Sequence, residues 1–142
     1  PHPVKGRYHV KDLQDWAKYV GIKIGMPPVF PVRSVEAMRG AFHAEEQGKF
    51  HPLILSVFKT YWGDLKDIGD WDVLLSCARE AGLDPEAFRA AASSDNAKAR
   101  LKENTQELID RGGFGSPTIF VNGDDMYFGN DRMELIAHAL GL

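Results

Sequence analysis

Two short stretches near the C-terminal end of the sequence carry residue types that could grip a small polar ligand. The first is Gly115-Ser116-Pro117-Thr118, which runs directly into the apolar string IFV. Proline has no amide hydrogen to donate, so it suits the approach to a strand rather than its interior. A cis bond between Ser116 and Pro117 would turn the Ser116 backbone outward. Its amide and carbonyl could then pair with an extended, peptide-like ligand as an added edge strand. A tight turn that only redirects the chain fits the same residues. The second stretch is Phe128-Gly129-Asn130-Asp131-Arg132. Asn130 and Asp131 stand where the last helix should begin, and Glu134 follows Asp131 at the spacing of a capping box. Free amides at such an end attract a carboxylate, while the Asp131 side chain offers a partner to an ammonium. Both halves of an amino-acid head group thus have a counterpart there, although capping alone accounts for the motif. Earlier in the chain, Tyr61-Trp62-Gly63 ends a helical stretch; the aromatic pair either closes the core or lines an apolar substrate pocket. Arg111, at another helix end, is a favourable charge placement.

Several other chemistries are disfavoured. Cys77 is the single cysteine and lies in the apolar setting WDVLLSCAREAG, which suits a small buried hydrophobe better than a reactive thiol. No CxxC pair is present, and the five histidines are not paired with carboxylates or thiols at ligand spacing, so no metal is expected. No phosphate-binding loop, dinucleotide fingerprint or Gly-x-Ser-x-Gly elbow occurs. A formal net charge of -3 gives no broad basic field for nucleic acid. No apolar run approaches the roughly 20 residues of a membrane span. A cytoplasmic setting is the preferred expectation.

The elements that must position these residues follow from periodicity. In 142 residues, 44% of them hydrophobic, one domain with a sizeable core is expected. Residues 1–8 read as a polar lead-in. From His9 to Val20, Leu13, Trp16, Ala17 and Val20 recur at helical spacing, and Gly21 stops the helix. IKIGMPPVFPV, with three prolines and a glycine, reads as an extended loop on a core or along a cleft. Ser34 should cap a helix whose inward line is Val35, Met38, Phe42 and Glu45. The next helix should present Leu53, Ile54, Val57, Phe58 and Tyr61. Asp70 and Asp84-Pro85 start two more, and a longer one over NAKARLKENTQELIDRG should turn Leu101, Leu108 and Ile109 inward. At Gly112 the texture changes. Two short apolar runs around Asn122-Gly123 predict a hairpin, and a last helix should face Met133, Ile136, Ala137 and Leu140 one way. The expected organisation is the lead-in, a helical region over 9–111, and a hairpin-plus-helix part over 112–142. A lone hairpin is marginal, so either a first strand and helix lie upstream of this sequence, the preferred expectation, or the hairpin packs on helices alone.

FGSPT followed by IFVNG, then MYFGNDRMELIAHALG, resembles the C-terminal signature of the thioredoxin-like, DsbA-like family of 2-hydroxychromene-2-carboxylate isomerases and kappa-class glutathione transferases. DLQDWAKYVGI, FPVRSVEAMRGAF, EEQGKF, VFKTYWGDLKDI and LKENTQELIDRGGFG extend the resemblance over nearly the whole chain in the same order. It implies an α/β thioredoxin-like fold with a large inserted helical domain, here lacking its first strand and helix and therefore mostly helical with a C-terminal β-hairpin. It implies a homodimer that binds glutathione, with Pro117 the cis-proline, Ser116 contacting the cysteinyl portion through its backbone, and Asn130 and Asp131 holding the γ-glutamyl end. Tyr61 and Trp62 would lie near the hydrophobic substrate region. The family's first strand, its catalytic serine and a glutathione-binding asparagine have no counterpart in this sequence. The implied activity is glutathione-dependent isomerisation of a 2-hydroxychromene-2-carboxylate-like aromatic degradation intermediate, requiring upstream residues. The alternatives are a kappa-like transferase, a thiol-disulfide oxidoreductase, and a non-catalytic binding or packing module.

Overall fold

The computed structural model describes residues 2–142; Pro1, first residue of the expected lead-in, lies outside them. Among the described residues seven α-helices and one hairpin follow in order: α1 (Pro3–Val20), α2 (Val35–Glu46), α3 (Phe50–Phe58), α4 (Trp71–Glu80), α5 (Pro85–Ser93), α6 (Asp95–Asp110), β1 (Thr118–Val121), β2 (Asp125–Phe128) and α7 (Met133–Ala139). The chain divides into two compact units, Pro1–Lys98 and Ala99–Leu142, with the division inside α6.

In the first unit, α1 begins at Pro3, six residues earlier than periodicity predicts. Proline is tolerated at the first helical position, where its missing donor would be unpaired anyway. The expected inward line of α1 is mostly exposed: Ala17 is buried, while Leu13, Trp16 and Val20 lie open to solvent. The core gathers Leu53, Val57 and Tyr61 with Leu74, Leu75, Cys77, Ala78, Leu83 and Phe88. Cys77 is buried, as its reading as a small buried hydrophobe predicts. The buried face of α2 differs from the expected one. It consists of Glu36, Ala37, Gly40, Ala41 and Ala44, while Met38 is exposed. Small residues win because the Phe88 ring of α5 lies against Gly40; a Cβ there would meet its Cζ at 2.2 Å. Phe58 of α3 is likewise exposed, and Ser56 is buried in its place.

Caps divide in the same way. Asp70 accepts from the Asp72 amide at 2.7 Å, and Asp84 from that of Ala87 at 2.7 Å, as their positions predict. Ser34 precedes α2 but makes no side-chain cap bond. At their other ends, α1, α2, α4, α6 and α7 close on a glycine with positive φ followed by paired 6→1 and 5→2 bonds. For α6 these run from Gly113 to the Leu108 carbonyl, 2.8 Å, and from Gly112 to that of Ile109, 2.9 Å. Gly112 sits at φ 84°, where a Cβ would be strained.

In the second unit, β1 and β2 pair antiparallel from Thr118 opposite Phe128 to Val121 opposite Asp125, leaving a three-residue turn, 122–124. Asn122 at φ 50° and Gly123 at φ 105° supply the positive angles that such a turn needs. Among the described residues these are the only two strands. Val121 and Ile136 are buried, whereas Ile109, Met133 and Leu140, expected inward, are more than half exposed.

Candidate functional site

The Ser116–Pro117 peptide is cis, as the family resemblance implies. Both residues are exposed, and among the described residues no hydrogen bond engages the Ser116 amide or carbonyl. Their neighbours are tied down. The Thr118 hydroxyl donates to the Gly115 carbonyl at 2.5 Å, and the Gly129 amide donates to the Pro117 carbonyl at 3.0 Å. That last bond continues the β1–β2 ladder and brings the two ligand-type stretches of the sequence side by side. Gly115 is required by crowding, because a Cβ would come within 2.7 Å of the Phe128 ring, which itself packs on Phe114 at 4.6 Å between centroids.

Asn130 and Asp131 lie in a single 3₁₀ turn, Asn130–Arg132, ahead of α7. The expected capping box is not formed, and neither the turn nor α7 has a side-chain cap bond. Two causes are visible. The intervening turn moves Asp131 into a helical position, and its carboxylate pairs instead with the adjacent Arg132 at 2.6 Å. Gly129, at φ 106°, lets the chain fold back so closely that a Cβ there would sit 2.6 Å from Asp131 Oδ1. An exposed carboxylate is thus presented beside an unpaired main-chain donor and acceptor. A main-chain donor and acceptor and a carboxylate are the groups that a short peptide with a free ammonium would pair with.

Tyr61 and Trp62 fall in a π-helical turn, Lys59–Gly63, that extends α3. The wider turn, closed by the Asp64 amide on the Lys59 carbonyl at 2.9 Å, separates the two rings by environment. Tyr61 is buried and donates its hydroxyl to the Val29 carbonyl at 2.9 Å. Trp62 is half-buried and walls a groove of about 680 Å³ with Leu13, Ile22, Ile24, Leu55 and Phe58. The loop 22–25 is held against this turn by the Gly25 amide on the Trp62 carbonyl, 2.8 Å. Lys23, Lys59 and Asp64 are the charged members of the groove. Sequence reasoning missed both lysines, since neither belongs to a motif; their one signal is that they flank the aromatic pair and the proline-rich loop.

Arg111 does more than complement a helix end. Its guanidinium lies 3.6 Å from the centre of the Phe120 ring, donates to the Gly123 carbonyl at 2.7 Å and meets Glu107 at 3.1 Å. It therefore locks the hairpin to the end of α6 and braces the approach to Ser116. No group of three or more His, Cys, Asp or Glu side chains placed to hold a metal ion occurs among the described residues, and none of the described helices is long and apolar enough to cross a membrane.

Comparison with known proteins places this geometry. Residues 2–141 match the DSBA-like thioredoxin domain family. The 2-hydroxychromene-2-carboxylate isomerase of Pseudomonas sp. (strain C18) is 34% identical over 140 residues, covering 97% of this chain and 64% of that protein. Human glutathione S-transferase kappa 1 is 30% identical over 152 residues, covering 98% and 67%. A solved 2-hydroxychromene-2-carboxylate isomerase superposes with a TM-score of 0.81 at 32% identity, covering 97% of this chain and 66% of that one. The chain spans a little under two thirds of the isomerases it matches, at 64%, 66% and 63% of their lengths. Its helices and single C-terminal hairpin are therefore a largely helical thioredoxin-like fold, and the chain belongs to the DSBA-like thioredoxin domain family, as a homologue of the 2-hydroxychromene-2-carboxylate isomerases and kappa-class glutathione transferases.

Proposed function

We propose that this chain is part of a glutathione-dependent isomerase acting on an aromatic acid of the 2-hydroxychromene-2-carboxylate type. The observation that supports this reading most is the pairing of an open Ser116 backbone with the Asp131 carboxylate through the Pro117–Gly129 bond. Ser116 would hold the cysteinyl part of glutathione by main-chain hydrogen bonds, with Pro117 setting the direction of the chain, and Asn130 and Asp131 would hold the γ-glutamyl end. Glutathione supplies a nucleophilic thiolate when bound. Trp62 and its apolar neighbours would receive the ring of the substrate and exclude water from it; Tyr61 would support Trp62 from the core. A homodimer and a cytoplasmic setting belong to the same reading, and sedimentation equilibrium tests the first.

Glutathione titration by calorimetry tests the site. Asp131→Asn is expected to weaken binding by about tenfold, the order expected for one charge-assisted contact. Because Asp131 makes no cap bond, the melting temperature should stay within about 1 °C of the parent. Undiminished binding in that variant would remove Asp131 from the site. A kappa-like transferase is the second reading, supported by the 30% identity to the human enzyme. Consumption of a chloronitroarene by glutathione, without conversion of 2-hydroxychromene-2-carboxylate, would favour it.

A further inference from the structure

We infer that the groove beside Trp62 selects aromatic carboxylates through Lys59 and Lys23, and that Glu80 sets its strength by competing for Lys59. This rests on the reading of the groove as a substrate site and adds to it the residues that recognise the acid. The groove has the size and the walls of a small-molecule pocket, about 680 Å³ lined mainly by Leu13, Ile22, Ile24, Leu55, Phe58 and Trp62. Apolar walls give affinity but little discrimination between an acid and its neutral isostere; charged groups must supply that. Lys23, Lys59 and Asp64 are the charged residues of the lining, a net charge of one positive. That balance suits a monoanion.

The two lysines are not equally engaged. Among the described residues Lys23 has no hydrogen bond or ion pair through its side chain. Lys59 stands 3.6 Å from Glu80 Oε1, an ion pair too long for a hydrogen bond, with both side chains more than half exposed. Glu80 has its better partner elsewhere, because its Oε2 accepts from the Ser56 hydroxyl at 2.6 Å. Ser56 is buried, so this carboxylate is pinned from the protein side. Lys59 is therefore held near the groove by a fixed but loose anion. An incoming carboxylate offers it a closer contact, at the expense of the one to Glu80. Glu80 is a positioning residue in this scheme, and removing its charge frees Lys59.

Calorimetric titration of the 142-residue chain with cinnamate and with its neutral amide, cinnamamide, tests the proposal. The parent is expected to prefer the acid by about fivefold, the range of a partly exposed ion pair. Lys59→Met should bring the two affinities within about twofold of each other. Glu80→Gln should tighten cinnamate by about two- to threefold, with no change for cinnamamide. Equal affinities in the parent, an unaltered preference in Lys59→Met, or no binding of either probe would each overturn the proposal. No turnover enters these measurements. Acid preference in a chain that shows no glutathione binding would sink the enzymatic reading and leave the groove's selectivity intact.

Discussion

Glu80 shows how a single exposed side chain is tuned. The Ser56 hydroxyl, and next the Lys59 ammonium, hold its carboxyl below the ordinary value of 4.5. The folded-state value lies below the unfolded one. The contact therefore stabilises the protein fully above about that ordinary value and fades as pH falls through the depressed one. Carbon-detected NMR titration should find the Glu80 midpoint below 4.5, and Ser56→Ala should return it most of the way. A midpoint that ignores Ser56→Ala would assign the shift to Lys59 instead. Glu36 is a contrasting case. It is buried with one oxygen paired to Arg33 and the other without a partner, and no surface signal in the sequence marks it.

Packing between elements is decided by small residues as much as by large ones. Gly40→Ala should destabilise the protein by about 1–3 kcal/mol, because the added methyl overlaps the Phe88 ring. Thermal unfolding would show this as a lower midpoint, and Phe88→Leu in the same chain should recover part of the loss. The helices themselves were legible. Acid caps at Asp70 and Asp84 and the terminal glycines are local signals, and local physics carries them through to the structure. Which face of each helix is buried was less legible. On α2, bulky Met38 pointed to an inner line, yet the neighbour to be accommodated was a phenylalanine 50 positions away, and alanine and glycine fit it better. On α1, a regular apolar stripe announced a helix correctly but not its exposure. The site shows the same division. FGSPT and FGNDR were readable as ligand-binding types, whereas the hydrogen bond from Gly129 to Pro117 that joins them depends on hairpin register. Arg111 is an element-scale device as well. Arg111→Ala should loosen the hairpin by about 1 kcal/mol, the value of one cation–π contact with its hydrogen bond. Hydrogen exchange would read this as faster exchange of the β1 and β2 amides by roughly fivefold, without a matching change in α2 to α5.

At the scale of the molecule, the two compact units carry different kinds of candidate chemistry. Among the described residues, those of the first unit hold the large hydrophobic core and an apolar groove; residues 99–142 hold an open main-chain edge, an exposed carboxylate and little buried apolar surface. Most of the burial free energy accordingly lies in the first unit, at roughly 25 cal/mol per Å² of apolar surface removed from water. Urea unfolding followed by the fluorescence of Trp16, Trp62 and Trp71, all within residues 1–98, reports on that unit alone, and Asp131→Asn should leave its midpoint unchanged. A shifted midpoint would mean that the carboxylate supports the core rather than a ligand. The π-helical turn has a consequence for how such proteins diverge. By burying Tyr61 and leaving Trp62 half-buried between the core and the groove, it gives two adjacent codons unequal shares in folding and in recognition. Descendants of this chain would therefore change ligand preference at position 62 at a smaller cost in stability than any change at position 61 would carry.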